Sequence, residues 1–140
     1  MGEISMTRKR VLVADDQSRI LSAVSALLGK SFEVVGLVAD GKAALQAAAK
    51  LEPDLVILDV SMPGMSGIEV ARELKRRPNR AKIVFLTVHE DAEILASCLA
   101  AGGLGYVVKE LMDSDLIPAL KEALAGRVFV SRFSSSEEAP

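Results

Sequence analysis

Residues 55–75 read LVILDVSMPGMSGIEVARELK, and this one stretch sets the architecture. Four aliphatic residues, Leu55 to Leu58, end in an acid, Asp59; a loop containing Pro63 and Gly67 follows, and then Ile68, Ala71 and Leu74 recur at three-residue steps. A short run that is apolar at every position suits a strand covered on both faces, and recurrence every three or four residues marks one buried helical face. The stretch therefore reads as strand, turn and crossover helix, the repeating unit of a parallel sheet.

The same unit recurs on either side. Apolar runs at Val11–Ala14, Val34–Ala39, Ile83–Leu86 and Tyr106–Val108 bring the total to five. The segments between and after them carry helical stripes: Ile20, Val24, Leu27 and Leu28; Ala44, Ala47, Ala48 and Leu51; Ile94, Leu95, Cys98 and Leu99; Leu116, Ile117, Leu120 and Leu124. This predicts an α/β domain, a flavodoxin-like (βα)5 doubly wound parallel sheet with strand order 2-1-3-4-5. Gly126 offers the last helix a stop, and Pro118 predicts that this helix begins late, capped by Asp113 or Ser114.

A chain of 140 residues is the size of one ordinary domain. We assign residues 8–126 to it and read 127–140 as a C-terminal extension or linker, largely disordered. Ser134–Pro140 is a Ser/Glu-rich run that buries nothing, whereas Val128–Phe133 is apolar enough to pack as an extension, lead into a further module or seat a partner. Half of the residues are apolar but only 4% are aromatic, so aliphatic side chains must fill the core. A formal charge of -2 gives no wide basic field and argues against direct nucleic-acid contact by this segment. Cys98 is the only cysteine, which excludes an internal disulfide and a cysteine-based zinc site and reads as a buried structural thiol. Behind Met1–Arg10 no apolar stretch exceeds Val11–Ala14, so neither a signal peptide nor a membrane span is expected, and the protein reads as cytoplasmic.

In an open parallel sheet, ligands bind beyond the carboxyl ends of the strands. Here those ends are polar: Asp15 and Asp16 after the first run, Asp59 after the third, Thr87 after the fourth and Lys109 after the fifth. In the predicted order these strands are neighbours, so three carboxylates, a hydroxyl and an ammonium share one pocket. Carboxylates at close range repel unless a cation joins them, and all-oxygen ligands suit magnesium. A carboxylate can attack phosphorus and become an acyl phosphate, with Lys109 neutralising one phosphoryl oxygen and the Thr87 hydroxyl bonding another. Taken singly, Asp16 reads more readily as a helix cap, Asp59 as a turn residue and Lys109 as a surface charge. Those readings do not explain why all of them fall at adjacent strand ends.

The segments VLVADDQ, LVILDVSMPGMSG, IVFLTVHE and GYVVKE resemble the receiver domains of two-component response regulators over Arg10–Gly126. The resemblance implies that Asp59 is phosphorylated by a partner histidine kinase or phosphotransfer protein. It implies that Asp16, Asp59 and the Ser61 backbone carbonyl bind Mg2+ directly while Asp15 acts largely through water. Thr87 and Lys109 would read the phosphoryl group. Tyr106 would be a rotameric switch that swings inward with Thr87 and couples phosphorylation to a partner-binding face made by the fourth helix, fifth strand and fifth helix. The position of His89 would tune access of water to the acyl phosphate; the plainer reading is an exposed loop histidine.

The family is regulatory rather than enzymatic. A magnesium-dependent phosphatase of the haloacid-dehalogenase type would carry a second acid two residues after the nucleophile, where this chain has Ser61. A phosphate-independent interaction module would not need the full set of Asp15, Asp16, Asp59, Thr87 and Lys109. LTVHE and ALAGRVFVS resemble the branch whose receivers precede a LuxR-like helix-turn-helix module, so the chain is expected either to stand alone or to be the regulatory half of a transcription factor. A homodimer is compatible with both. Lys75, Arg76, Arg77, Arg80 and Lys82 read as a solvated helix end, and Met62 and Met65 as cover for apolar surface beside the acceptor loop.

Overall fold

The computed structural model describes residues 7–134. Its elements are β1 (Arg10–Ala14), α1 (Ser18–Leu28), β2 (Glu33–Val38), α2 (Gly41–Leu51), β3 (Leu55–Leu58), α3 (Gly67–Arg76), β4 (Lys82–Thr87), α4 (Ala92–Ala100), β5 (Gly105–Val108), α5 (Met112–Leu124) and β6 (Phe129–Val130). The strands all pair in parallel, in the order β2-β1-β3-β4-β5-β6. The predicted doubly wound sheet is present, with one strand more than expected.

Two apolar layers sandwich the sheet because successive strand residues point to opposite faces. On β1, Leu12 and Ala14 join the layer under α2, α3 and α4, while Val11 and Val13 join the layer under α1 and α5. The same division separates Val56 and Leu58 from Leu55 and Ile57 on β3. Continuous burial of these runs follows from helices covering both faces. Among the described residues, no helix is long and apolar enough to cross a membrane.

The N-termini of three helices are fixed by side chains the sequence supplies on the spot. Asp40 caps α2 through Ala43 N–H, Asp91 caps α4, and Ser66 and Glu69 form a reciprocal capping box at α3. Gln17, not Asp16, occupies the cap position of α1, and it makes no side-chain capping bond. Asp16 is thereby left for other work.

Several expectations need correction. β2 lies at a sheet edge, so its residues are only partly covered and Ala39 falls outside the strand. α4 packs loosely: of its apolar stripe only Cys98 is fully buried, and burial raises its thiol pKa to about 12. α5 begins at Met112, directly after a 3-10 turn at Lys109–Leu111, and not late at Asp113 or Ser114. Pro118 sits inside it, where its missing N–H withdraws the usual donor to Ser114 C=O; Ser114 is exposed, so water can replace that donor. Finally, residues 127–134 of the segment read as a largely disordered extension are placed against the domain, with β6 as the sixth strand. Val128–Phe133 supplies the reason, since Phe129 joins one apolar layer and Phe133 the other. Residues 135–140 of the Ser/Glu-rich run lie outside the described residues.

Candidate functional site

The carboxyl ends of β1, β3, β4 and β5 bring the acidic and basic side chains together. Asp15 and Asp59 are 1% and 5% exposed, so their charges are held in a poorly solvated cleft, while Asp16 is exposed at its rim. Each of the three acids offers a carboxylate oxygen within 4.8 Å of the others. Lys109 reaches across from the end of β5, its Nζ 2.8 Å from Asp15 Oδ2 and 3.3 Å from Asp59 Oδ2. Gln17 Oε1 accepts a further hydrogen bond from the same ammonium at 3.1 Å. Sequence reasoning missed Gln17; its position directly after the paired acids was the available signal.

One ammonium does not balance three carboxylates. Burial, then the neighbouring Asp15 charge, pushes the Asp59 carboxyl pKa up, and Lys109 opposes both. Asp15 Oδ2 sits at ion-pair distance from Lys109 but lacks a hydrogen bond of good geometry, so it retains a vacant acceptor position. A cluster of hard oxygen ligands with an underused buried oxygen fits a magnesium-like cation.

The acceptor loop is set by a close backbone crossing. Gly67 N–H donates to Val60 C=O at 2.8 Å, and a Cβ at Gly67 would stand 2.0 Å from the Asp59 carbonyl oxygen. Only glycine allows α3 to start that near the end of β3. Met62 and Met65 pack onto the apolar layer below, as expected. Ser61 N–H points to Asp59 Oδ1 at a long 3.4 Å.

Thr87 and Tyr106 meet the site through His89. Thr87 is fully buried and its hydroxyl oxygen accepts from His89 N–H at 3.1 Å; Tyr106 is fully buried and donates its hydroxyl to His89 C=O at 2.8 Å. The His89 ring in turn hydrogen-bonds Ser61 Oγ at 3.0 Å. His89 is thus half-buried and ties the β4–α4 loop to the acceptor loop, rather than standing exposed.

The basic residues at the end of α3 and just beyond it lie elsewhere. Arg76 and Arg77 pair with Glu73 at 2.7 and 3.4 Å on the surface, and Arg76 foremost holds that carboxyl below its ordinary range. A groove of about 660 Å³ between α2 and α3, lined by Leu45, Ala48, Leu74, Arg77 and Arg80, opens near the amino ends of β3 and β4. It is at the opposite end of the sheet from the acids.

Comparison with known proteins now decides the family. The response regulator receiver domain model matches residues 11–121. The chain belongs to the response-regulator receiver family. This receiver is 32% identical over 123 residues to the nitrate/nitrite response regulator protein NarL of Escherichia coli strain K12, covering 86% of this chain and 57% of the relative. It thus spans a little over half the length of that curated relative. Its fold matches a LuxR-family two-component response regulator from Aurantimonas with TM-score 0.86 and 28% identity, over 94% of this chain and 95% of the other. It also matches the isolated receiver domain of RcsB from Salmonella enterica serovar Typhimurium, solved with the phosphomimetic BeF3-, with TM-score 0.83 and 29% identity over 93% and 98% of the two chains. Receivers are regulatory phospho-acceptor domains with an acidic metal-binding pocket, and in this chain Asp15, Asp16 and Asp59 form a cluster of acids.

Proposed function

We propose that Asp59 is the phospho-acceptor of this receiver. A carboxylate oxygen of Asp59 attacks the phosphorus of a phosphohistidine on a partner histidine kinase or phosphotransfer protein; the P–O bond forms as the P–N bond breaks, and the imidazole departs with the electron pair. The observation that carries the reading is the placement of Asp59 at the end of β3, nearly buried, 3.3 Å from Lys109 and within the acid cluster.

Asp16, Asp59 and the Ser61 carbonyl would hold Mg2+, with Asp15 acting largely through water. When bound, the ion neutralises the clustered carboxylates and the phosphoryl oxygens. Lys109 exchanges part of its contact with Asp59 for a phosphoryl oxygen. Thr87 turns its hydroxyl from His89 N–H toward the same group, and Tyr106, bonded to the same loop, transmits the change to the α4–β5–α5 face. The domain thus takes part in its own phosphorylation and dephosphorylation as a switch, not as an enzyme with an external substrate. The relative named as a nitrate/nitrite response regulator and the LuxR-family neighbour support a role as the regulatory half of a transcription factor; a cytoplasmic location and a homodimer belong to the same reading.

Intact mass after incubation with acetyl phosphate and magnesium tests the reading. The wild type should gain one phosphoryl group, and neither Asp59→Asn nor an EDTA-treated sample should gain any. Equal gain by Asp59→Asn would reject Asp59 as the acceptor.

A further inference from the structure

The segment after α5 closes over the switch residue. β6 pairs with β5 through Phe129 N–H to Leu104 C=O at 2.9 Å and Ser131 N–H to Tyr106 C=O at 2.8 Å. Ser131, 3% exposed, accepts from Val108 N–H at 3.2 Å and donates to Asp115 of α5 at 2.6 Å, so its buried hydroxyl is satisfied both as acceptor and as donor. The Phe133 ring then lies 5.8 Å from that of Tyr106, tilted by 51°. Ser134 donates to the Glu90 carboxylate through both its backbone N–H and, at 2.9 Å, its hydroxyl.

These contacts bracket Tyr106. Its carbonyl is held by Ser131, its ring is faced by Phe133, and its hydroxyl is held by His89, the neighbour of the Glu90 that binds Ser134. Tyr106 is completely buried although α4, the helix on that side, buries only Cys98 fully. Phe133 supplies cover that α4 does not. Through His89 the same network reaches Thr87 and Ser61 at the acid cluster.

We propose that residues 129–134 are an intramolecular clamp that holds Tyr106 inward and thereby favours the phosphoryl-binding state of the acid cluster. The proposal rests on the phospho-acceptor reading for its effect on affinity, and on geometry alone for its effect on Tyr106. Coupling between two sites is reciprocal: a segment that favours the state preferred by the phosphoryl group raises affinity for that group, and occupancy of the site tightens the segment. Any partner that docks on this face must accommodate the segment or displace it.

The test compares wild type, Phe133→Ala and Phe133→Leu in the full chain. Beryllofluoride, formed in the presence of magnesium, is titrated by fluorine NMR, and the Tyr106 ring is followed by proton–carbon NMR without ligand. The clamp predicts that Phe133→Ala weakens beryllofluoride binding about five-fold or more and brings Tyr106 into rotamer exchange, while Phe133→Leu, which keeps apolar cover, recovers most of both. Unchanged affinity and an unchanged Tyr106 ring in Phe133→Ala would overturn it. If no variant binds beryllofluoride, the phospho-acceptor reading fails and so does the proposed coupling; the Tyr106 signal still decides whether the segment holds the ring.

Discussion

Lys109→Met should reduce phosphoryl uptake from acetyl phosphate by about a hundred-fold or more, the usual consequence of removing one charged donor aimed at a developing oxyanion. The same change leaves Asp15 and Asp59 buried without the ammonium that lies 2.8 and 3.3 Å away. Stripping a partner from a buried charge cluster costs roughly 3 kcal/mol. The loss of stability should depend on pH in a defined direction. The Asp59 pKa is already raised above 3.8 in the folded chain by burial and by Asp15, and removing Lys109 raises it further. A carboxyl with a raised folded pKa favours unfolding once the unfolded chain ionises. The deficit of Lys109→Met is therefore smallest while Asp59 is protonated in both folded proteins and grows as pH rises from the wild type's raised folded value to the variant's still higher one. Denaturant unfolding of metal-free protein across that interval checks the sign; magnesium at neutral pH should restore part of the loss.

Gly67→Ala should be as damaging without touching a charge. The new Cβ would meet the Asp59 carbonyl oxygen at 2.0 Å, its carbon at 2.9 Å and Val60 Cα at 3.2 Å, all backbone atoms that cannot rotate away. Either α3 retreats, breaking the Gly67-to-Val60 hydrogen bond, or the acceptor itself shifts. Overpacking of this kind costs about 2–3 kcal/mol, and phosphoryl uptake should fall because Asp59 leaves its position against Lys109. Gly64→Ala is the matched control. Its φ of +78° makes alanine unfavourable, but a Cβ there meets nothing within 4 Å. It should lose about 1 kcal/mol from backbone conformation alone and keep its phosphoryl uptake. Equal behaviour of the two variants would show that the close crossing does not position the acceptor.

The contrast between these sites explains what the sequence made legible. Asp15, Asp16, Asp59, Thr87 and Lys109 stand at the ends of apolar runs whose periodicity is local, and parallel strand order alone makes those ends adjacent. Their convergence could be read before any distance was known. Other features depend on partners remote in sequence. Ser131 is buried because Val108 N–H and Asp115 need it, and nothing in VFVSRF specifies that. β6 is only two residues long, so no periodic pattern could mark it. The start of α5 was misread because the proline rule assumes an interior carbonyl with no alternative donor, whereas Ser114 is open to solvent. His89 reads in sequence as an exposed loop residue, since its partners Ser61, Thr87 and Tyr106 are supplied by three segments remote from one another along the chain.

The most direct test of the central claim is chemical localisation of the modified side chain. After phosphorylation in the presence of magnesium, borohydride reduces an acyl phosphate to an alcohol, converting the modified aspartate to homoserine, which peptide fragmentation then places in the sequence. Homoserine is expected at position 59, in the peptide carrying Leu55–Leu58, with Asp15 and Asp16 unchanged. Homoserine at 15 or 16, or a phosphoryl group that survives on a residue borohydride does not reduce, would contradict it.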